Sequence, residues 1–381
     1  MTPEPRHSPI VPSYGAATLA DLSSSILASL DPGSPESQNV LGLTPTQRAC
    51  LLIVDGLGWE LLRAHPAAAP FLSELARNSK PITAGFPSTT VTSLGSICTG
   101  RPPGQHGILG YQVIIPGENR LLNGLRWDSR VDPLLWQPLP TIYERAAGAG
   151  IAAVHVAQGS FRGTGLTVAT MRGADFRPAD SMGALAAQAA TALHENGRAY
   201  VSVYHGDLDG TGHMFGVASD AWYNHLAHVA KLAEQLASAL PSGACLYVTA
   251  DHGMVDIGPE DKLDIDAIPE LRAGLALLGG EPRARHVYAR PGAAPAVLAA
   301  WREVLGERAW VLSREEAIKE GWFGPVDDGM AARIGDVVAA PAGSVALVAT
   351  KAEPRESALF GMHGSLTSAE QFVPALMFRA A

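Results

Sequence analysis

Three apolar runs, the first of them continuous, punctuate the chain, and each ends on acidic or histidine-bearing residues. The first, ACLLIV, stops at Asp55-Gly56. The second, residues 200–204, runs into the acidic, glycine-rich HGDLDGTGH, and the third, 244–249, runs into Asp251-His252. Apolar runs of this kind predict strands covered on both faces, as in a parallel sheet. Elsewhere apolar residues recur at helical spacing, in ATLADLSSSILASL (17–30), closed by DPGSPES, and in WELLRAHPAAAPFLSELARNS with its proline interruption. The same spacing predicts helices over PTIYERAAGAG, SMGALAAQAATALHENG and the long amphipathic SDAWYNHLAHVAKLAEQLASAL. IAAVHVAQ predicts another strand, and ILGYQVIIPGENRLLNGLRW a β-hairpin turning at GEN. Strands alternating with helices predict an α/β protein: a mostly parallel central sheet with helices on both faces. Chemistry in such sheets collects beyond the carboxyl ends of the strands.

Residues 257–339 are less regular. An acidic EDKLDIDAIPEL, a strand RHVYAR, a helix APAVLAAWREVL and a strand WVLS predict an inserted segment or cap subdomain. The catalytic core is then 1–256 and 340–381, with 1–17 an irregular, proline-rich lead-in and SVALVATKA a last core strand. A hydrophobic content of 47% and a charged content of 17% fit a folded protein with a large core. The net charge of −9 opposes binding of long nucleic acid through a basic face. A small anionic substrate remains compatible, because bound divalent ions make a site locally positive. Cys50, Cys98 and Cys245 are widely spaced among apolar neighbours, which predicts buried thiols rather than disulfides or a sulfur metal site. The opening residues carry no apolar signal core, and no stretch of 18 uncharged apolar residues occurs. These features predict a cytoplasmic protein without a membrane span. Dinucleotide-binding and P-loop glycine fingerprints are both missing.

The loops after the strands offer a metal-ligand set. Asp55, Asp209, His213, Asp251, His252 and a C-terminal His363 are carboxylates and imidazoles, which suit Zn²⁺ or Mn²⁺. Asp209 and His213, four apart, share one face of a helical turn. Adjacent Asp251 and His252 can reach one ion only at a turn, which Gly253 permits. Six ligands plus a hydroxyl suffice for two ions about 4 Å apart, the arrangement for displacement at phosphorus. The hydroxyl would come from the stretch 86–107, where Ser88, Thr89, Thr90, Thr92 and Ser93 crowd together. Each acidic residue alone is commonly a helix cap or a solvated loop residue, so it is their joint ordering that carries the reading. Asp207 stays open between orienting a ligand histidine and a solvated loop position.

In order and spacing these motifs, VDGLG, T-x8-TG-x5-HG, D-x3-H, ADHG and a late HG, resemble the alkaline phosphatase superfamily. They are most similar to its type I phosphodiesterase / nucleotide pyrophosphatase branch, which includes phosphonoacetate hydrolases. The resemblance covers about 48–110, 200–256 and 358–378. It implies an alkaline-phosphatase-like core and two divalent ions, Zn or Mn. Asp209, His213 and His363 would hold one ion, and Asp55, Asp251 and His252 the other. Thr90, nine residues before Thr99 of the TG pair, would bridge toward both ions as the nucleophile, through a phosphothreonine intermediate. The family places an Asn five residues after the HG histidine, where this chain has Tyr111. Tyr111, Asn123 and Arg126 are therefore candidates for phosphate contact. Arg285 and His286, from the basic EPRARHVYAR, are candidates for nucleotide contact against a default of a solvated strand edge. SYGAATLADL, VDGLGWE, FPSTT, PPGQHG and GEPRARHVY are similar to the actinobacterial cyclic-di-AMP phosphodiesterases. That likeness implies cyclic di-AMP and linear pApA as substrates and AMP as product. A phosphomonoesterase or phosphonoacetate-type hydrolase on the same metals, and a non-catalytic nucleotide-binding protein, stand as alternatives.

Overall fold

The computed structural model describes residues 8–33, 38–217 and 219–381. Residues 1–7 of the expected lead-in, and 34–37 of the expected break after the first helix, lie outside the described residues. The main sheet is built from β1 (Arg48–Val54), β2 (Ala152–Ala157), β3 (Asp175–Pro178), β4 (Ala199–His205) and β5 (Cys245–Thr249). All pair in parallel, in the order β5-β1-β4-β2-β3. Ala49–Val54 and all of β4 are buried, which is why these runs carry no polar alternation. Beyond their carboxyl ends come the acidic loops, all on one edge of the sheet.

A second sheet is antiparallel. It contains β6 (Leu275–Glu281), β7 (Ala284–Ala289), β8 (Ala309–Ser313) and β9 (Val337–Pro341) in the order β6-β7-β9-β8. Helix Ala294–Leu305 covers it, burying Val297, Trp301 and Leu305 against a separate apolar cluster that includes Val287, Val311 and Val337. The main sheet is completed by β10 (Ala375–Arg379), antiparallel to β5. SVALVATKA, expected to supply the last core strand, contributes only Ala346–Val348, which pairs with Lys262–Asp264 outside the main sheet. Both segments are short apolar runs, and only long-range pairing distinguishes them. The short edge strand β3 carries no clear pattern because DFRP mixes two charged residues with Phe and Pro, and none of the four is fully buried.

Three helices position the site. α1 (Thr90–Thr99) begins at the hydroxyl-rich turn and ends on Gly100 at φ +64°. It packs against the first helix, Leu19–Leu30, which Thr18 and Asp21 close with a capping box. α2 (Asp207–Phe215) follows β4 directly. α3 (Asp220–Ser238), capped by Ser219, buries Trp222, Leu226, Val229, Ala233 and Leu236, the stripe its periodicity predicts.

The basic segment EPRARHVYAR is interior as far as Tyr288. Arg283, Arg285 and His286 are each fully buried rather than lying on a solvated edge. Arg283 makes a bidentate pair with Glu370, at 3.0 and 2.5 Å. Glu370 Oε1 also accepts from Ser365 N at 3.0 Å, and its backbone carbonyl accepts from Gly253 N at 2.9 Å. One buried ion pair thus ties the antiparallel sheet to the loops that carry His252 and His363. Removing one partner strands a buried charge, so Glu370→Ala should lower unfolding free energy by about 3–5 kcal/mol in urea titrations. Glu74→Ala, at an exposed pair with Arg77, should change it by less than about 1 kcal/mol.

Candidate metal centre

The loop residues fall into two tight groups: Asp209, His213 and His363, and Asp55, Asp251 and His252. Within the first group, His213 Nε2 lies 3.2 Å from Asp209 Oδ2, and His363 Nε2 lies 3.9 Å from Asp209 Oδ1. Within the second, His252 Nε2 lies 3.3 Å from Asp55 Oδ1 and 3.6 Å from Asp251 Oδ2. The rings of His252 and His363 stack with centroids 3.6 Å apart, so the two groups adjoin. Thr90 Oγ1 approaches His252 Nε2 at 3.2 Å, from the first position of α1.

The histidine tautomers follow from their other nitrogens. His213 Nδ1 faces Gly361 O at 2.7 Å, His363 Nδ1 faces Ser88 O at 3.0 Å, and His252 Nδ1 faces Gly253 O at 3.0 Å. A carbonyl only accepts, so each Nδ1 carries the proton and donates it. In the neutral ring each Nε2 then presents a lone pair to the carboxylates, the form a metal requires. The carboxylates are prepared in the same way. Asp251 Oδ1 accepts from Gly56 N and His252 N at 3.1 and 3.0 Å, and Asp55 Oδ2 accepts from the Tyr204 hydroxyl. The opposite oxygens, Asp251 Oδ2 and Asp55 Oδ1, are buried without a hydrogen-bond partner, as is Asp209 Oδ1. Buried unpaired carboxylate oxygens aimed at bare imidazole nitrogens fit two divalent cations.

Charge makes the same point. Burial first, then Asp251 and Asp209, raise the Asp55 carboxyl well above its usual range. Burial also raises Asp251, against the opposing pull of His252. Asp209, although buried, is held below the usual range by His213 and the neighbouring rings. Burial lowers His213, but Asp209 outweighs it and brings the ring to about 9. His363 is pushed well down by burial and by His252.

Backbone packing leaves no room for side chains at two turns. A Cβ on Gly253 would sit 1.9 Å from Ala369 O, and Gly56 turns at φ +74° with Asp209 against it. The Ser93 hydroxyl donates to Asp251 O at 2.6 Å, fixing α1 to the third acidic loop.

The other candidate residues separate. Tyr111 lines a cleft of about 190 Å³ with Thr90, Asp209, His213 and His363, and its hydroxyl is 3.4 Å from Glu356. Burial raises its phenol, and a hydrogen bond with Asn123 opposes that rise. The Asn123 carbonyl oxygen accepts from Leu125 N and Arg126 N, so it holds the hairpin end beside the cleft. Arg126 is exposed and is not among the lining residues. Arg285 and His286 do not reach the cleft. Arg285 bonds Leu347 O at 2.9 and 2.6 Å and pairs with Glu353 at 2.7 Å. His286 is spent on Leu109 O and Gly335 N.

Three cleft or site residues had no sequence signal. Tyr204 reads as one more apolar strand residue, and Glu356 as a loop acid. Glu281 ends β6 and accepts from Thr89 Oγ1 at 3.1 Å, and burial raises its carboxyl to about 8. Only the folding of the antiparallel sheet over α1 brings Glu281 to the site.

The sequence profile of the type I phosphodiesterase / nucleotide pyrophosphatase family matches residues 49–366. The chain belongs to that family. Membership makes it a metal-dependent hydrolase of the phosphoric-diester class. No curated protein matches it in sequence. Among solved structures, human ectonucleotide pyrophosphatase/phosphodiesterase 5 is similar, with TM-score 0.68, 19% identity, and 88% of this chain and 89% of that chain covered. An inactive form of the murine protein in complex with AMP has TM-score 0.68 and 18% identity, covering 87% of each chain. Phosphonoacetate hydrolase from Sinorhizobium meliloti 1021, in complex with phosphonoformate, has TM-score 0.67 and 20% identity, covering 88% and 91%. These likenesses establish the alkaline-phosphatase-like fold.

A carboxyl whose pKa rises on folding costs stability as pH climbs through the carboxyl range, unless a cation offsets the charge. Asp55→Asn should therefore raise the melting temperature of chelated protein at pH 7.5 by about 2 °C or more. It should lower the melting temperature of metal-saturated protein. Differential scanning calorimetry with EDTA and with Mn²⁺ checks this crossing of sign.

Proposed function

We propose that the chain hydrolyses nucleotide phosphodiesters with Thr90 as nucleophile, and that its substrates are cyclic di-AMP and linear pApA, both ending as AMP. The observation that carries this reading is that Thr90 sits between two clefts. On one side lies the polar cleft of Tyr111, Glu281 and Glu356. On the other lies an apolar cleft of about 200 Å³ lined by Leu94, Phe161, Leu166, Met171 and Tyr204. Thr90 and Leu125 border both. A diester has a nucleoside on each side of phosphorus and uses both clefts, whereas a monoester uses one. The AMP complex of the murine relative supports a nucleotide in this fold's site. Neither cleft has lysine or arginine among its described lining residues, which disfavours a carboxylate-bearing phosphonate. Glu356 can instead accept an N–H from an adenine amino group.

In the reaction the Thr90 hydroxyl gives up its proton to solvent and its oxygen attacks phosphorus, forming a P–O bond while the bond to the neighbouring nucleoside's 3′-oxygen breaks. That oxygen leaves with a proton from solvent, and water then cleaves the phosphothreonine ester, returning Thr90. Two divalent ions, Zn or Mn, held by the six Asp and His residues would supply the charge that lowers the hydroxyl pKa and offsets the phosphoryl oxygens. As the first residue of α1, Thr90 also lies at the positive end of a ten-residue helix. Stacked His252 and His363, with their Nδ1 protons on backbone carbonyls, keep the site rigid. Residues 257–339 serve in this reading as a cap, which delivers Glu281 to the cleft. Three free buried cysteines suit a reducing cytoplasm, the location this reading assigns to the chain. Among the described residues no helix is long and apolar enough to cross a membrane.

A turnover panel with Mn²⁺ tests the reading. Cyclic di-AMP and pApA should be converted to AMP, with AMP itself and phosphonoacetate at least about 100-fold poorer in kcat/KM. Faster turnover of phosphonoacetate or of AMP would overturn the substrate assignment. Thr90→Ala should lower kcat on pApA by at least about 10³-fold. Phe161→Ala should act mainly by raising KM.

A further inference from the structure

A third group of potential ligands lies apart from the six already described. We propose that His205, Asp207 and His225 bind a further divalent cation of the zinc type, which anchors α2 from the side opposite the catalytic groups. One ligand atom from each of the three residues lies within 4.8 Å of the others. They come from the end of β4, the first position of α2 and the second turn of α3.

The geometry of α2 carries the argument. Its sequence holds two i,i+4 pairs offset by two residues, so they occupy different faces. Asp209 and His213 point to the catalytic groups, while Asp207 and Thr211 point to α3. The Thr211 hydroxyl has one proton and donates it to Asp207 O at 2.7 Å. Facing His225 Nδ1 at 3.2 Å, it can only accept, so His225 is protonated on Nδ1 and bare on Nε2. That bare nitrogen lies 2.9 Å from His205 Nε2. Two imidazolium rings cannot face each other at this distance, so at most one proton lies between them. Replacing that proton by a cation turns both nitrogens into ligands, with Asp207 as the charged third ligand. Gln158 Nε2 donates to Asp207 Oδ1 at 3.3 Å and leaves Oδ2 available.

This N₂O set selects zinc over magnesium or calcium. The Thr211 hydroxyl is the kind of partner that orients a ligand histidine. His205 is buried, His225 half-buried and Asp207 exposed, so a fourth position opens to solvent. His228, one turn along α3, has its ring 6.4 Å from that of His225. The ion would join β4, α2 and α3 at one point and fix the helix that carries Asp209 and His213.

Zinc stoichiometry tests the proposal. Full-length protein is stripped with chelator, reloaded with ZnCl₂, desalted and measured by elemental mass spectrometry. Wild type should hold three zinc ions per chain, and His225→Ala and Asp207→Asn two each. Asp209→Ala/Asp251→Ala, lacking a ligand from each catalytic group, should hold one, which adding His225→Ala removes. Two ions in wild type, or no loss on changing His225 and Asp207, would overturn the proposal. Should the variants unfold, an anomalous map at the zinc edge from wild-type crystals decides: a peak between His205 and His225 supports the site, and its absence overturns it. Activity plays no part in these readouts, so failure of the substrate assignment leaves the outcome distinguishable.

Discussion

Three buried carboxylates, Asp55, Asp209 and Asp251, converge at one edge of a parallel sheet, and only Asp209 has a close ring, His213, with a raised pKa and so a charge to offset its own. Like charges in a low-dielectric interior repel strongly, and burial adds a desolvation cost to each. The sheet forces this convergence, because adjacent parallel strands β5, β1 and β4 all deliver their carboxyl ends to the same place. The rest of the site is arranged around that unfavourable charge. Each carboxylate keeps one oxygen unpaired, and each of three histidines gives its Nδ1 proton to a backbone carbonyl. What remains is a ring of lone pairs suited to divalent cations, with the Thr90 hydroxyl at its rim.

The antiparallel sheet is joined to this centre by two residues that serve different ends. Glu281, last in β6, reaches the cleft and Thr89. Arg283, two residues later, turns into the interior and pairs with Glu370, whose carbonyl holds Gly253 beside His252. A single tight turn therefore fixes both how the sheet sits over the cleft and how the metal-facing loop is braced.

The core strands, and the six Asp and His residues that gather beyond them, were legible in the sequence for a physical reason. Doubly covered strands are predominantly apolar, so an acidic residue just beyond such a run is conspicuous, as at Asp55 and Asp251. The spacing of Asp209 and His213 was interpretable because one turn of helix imposes it. What stayed hidden depends on long-range pairing. SVALVATKA and Ala375–Arg379 are alike as apolar runs, yet only the latter borders β5. Arg285 and His286 read as a basic surface because nothing local reveals that Leu347 O, Glu353, Leu109 O and Gly335 N await them. Glu281 could not be recognised either, since its place in the cleft is set by how one sheet folds over another.

Covalent participation of Thr90 is the central claim, and the stereochemical course at phosphorus tests it most directly. A chiral phosphorothioate analogue of the linear dinucleotide, hydrolysed in ¹⁸O-labelled water, reports whether one or two displacements occur. Attack by Thr90 followed by water inverts the centre twice and predicts net retention of configuration. Net inversion would show that water attacks phosphorus directly and would contradict the account.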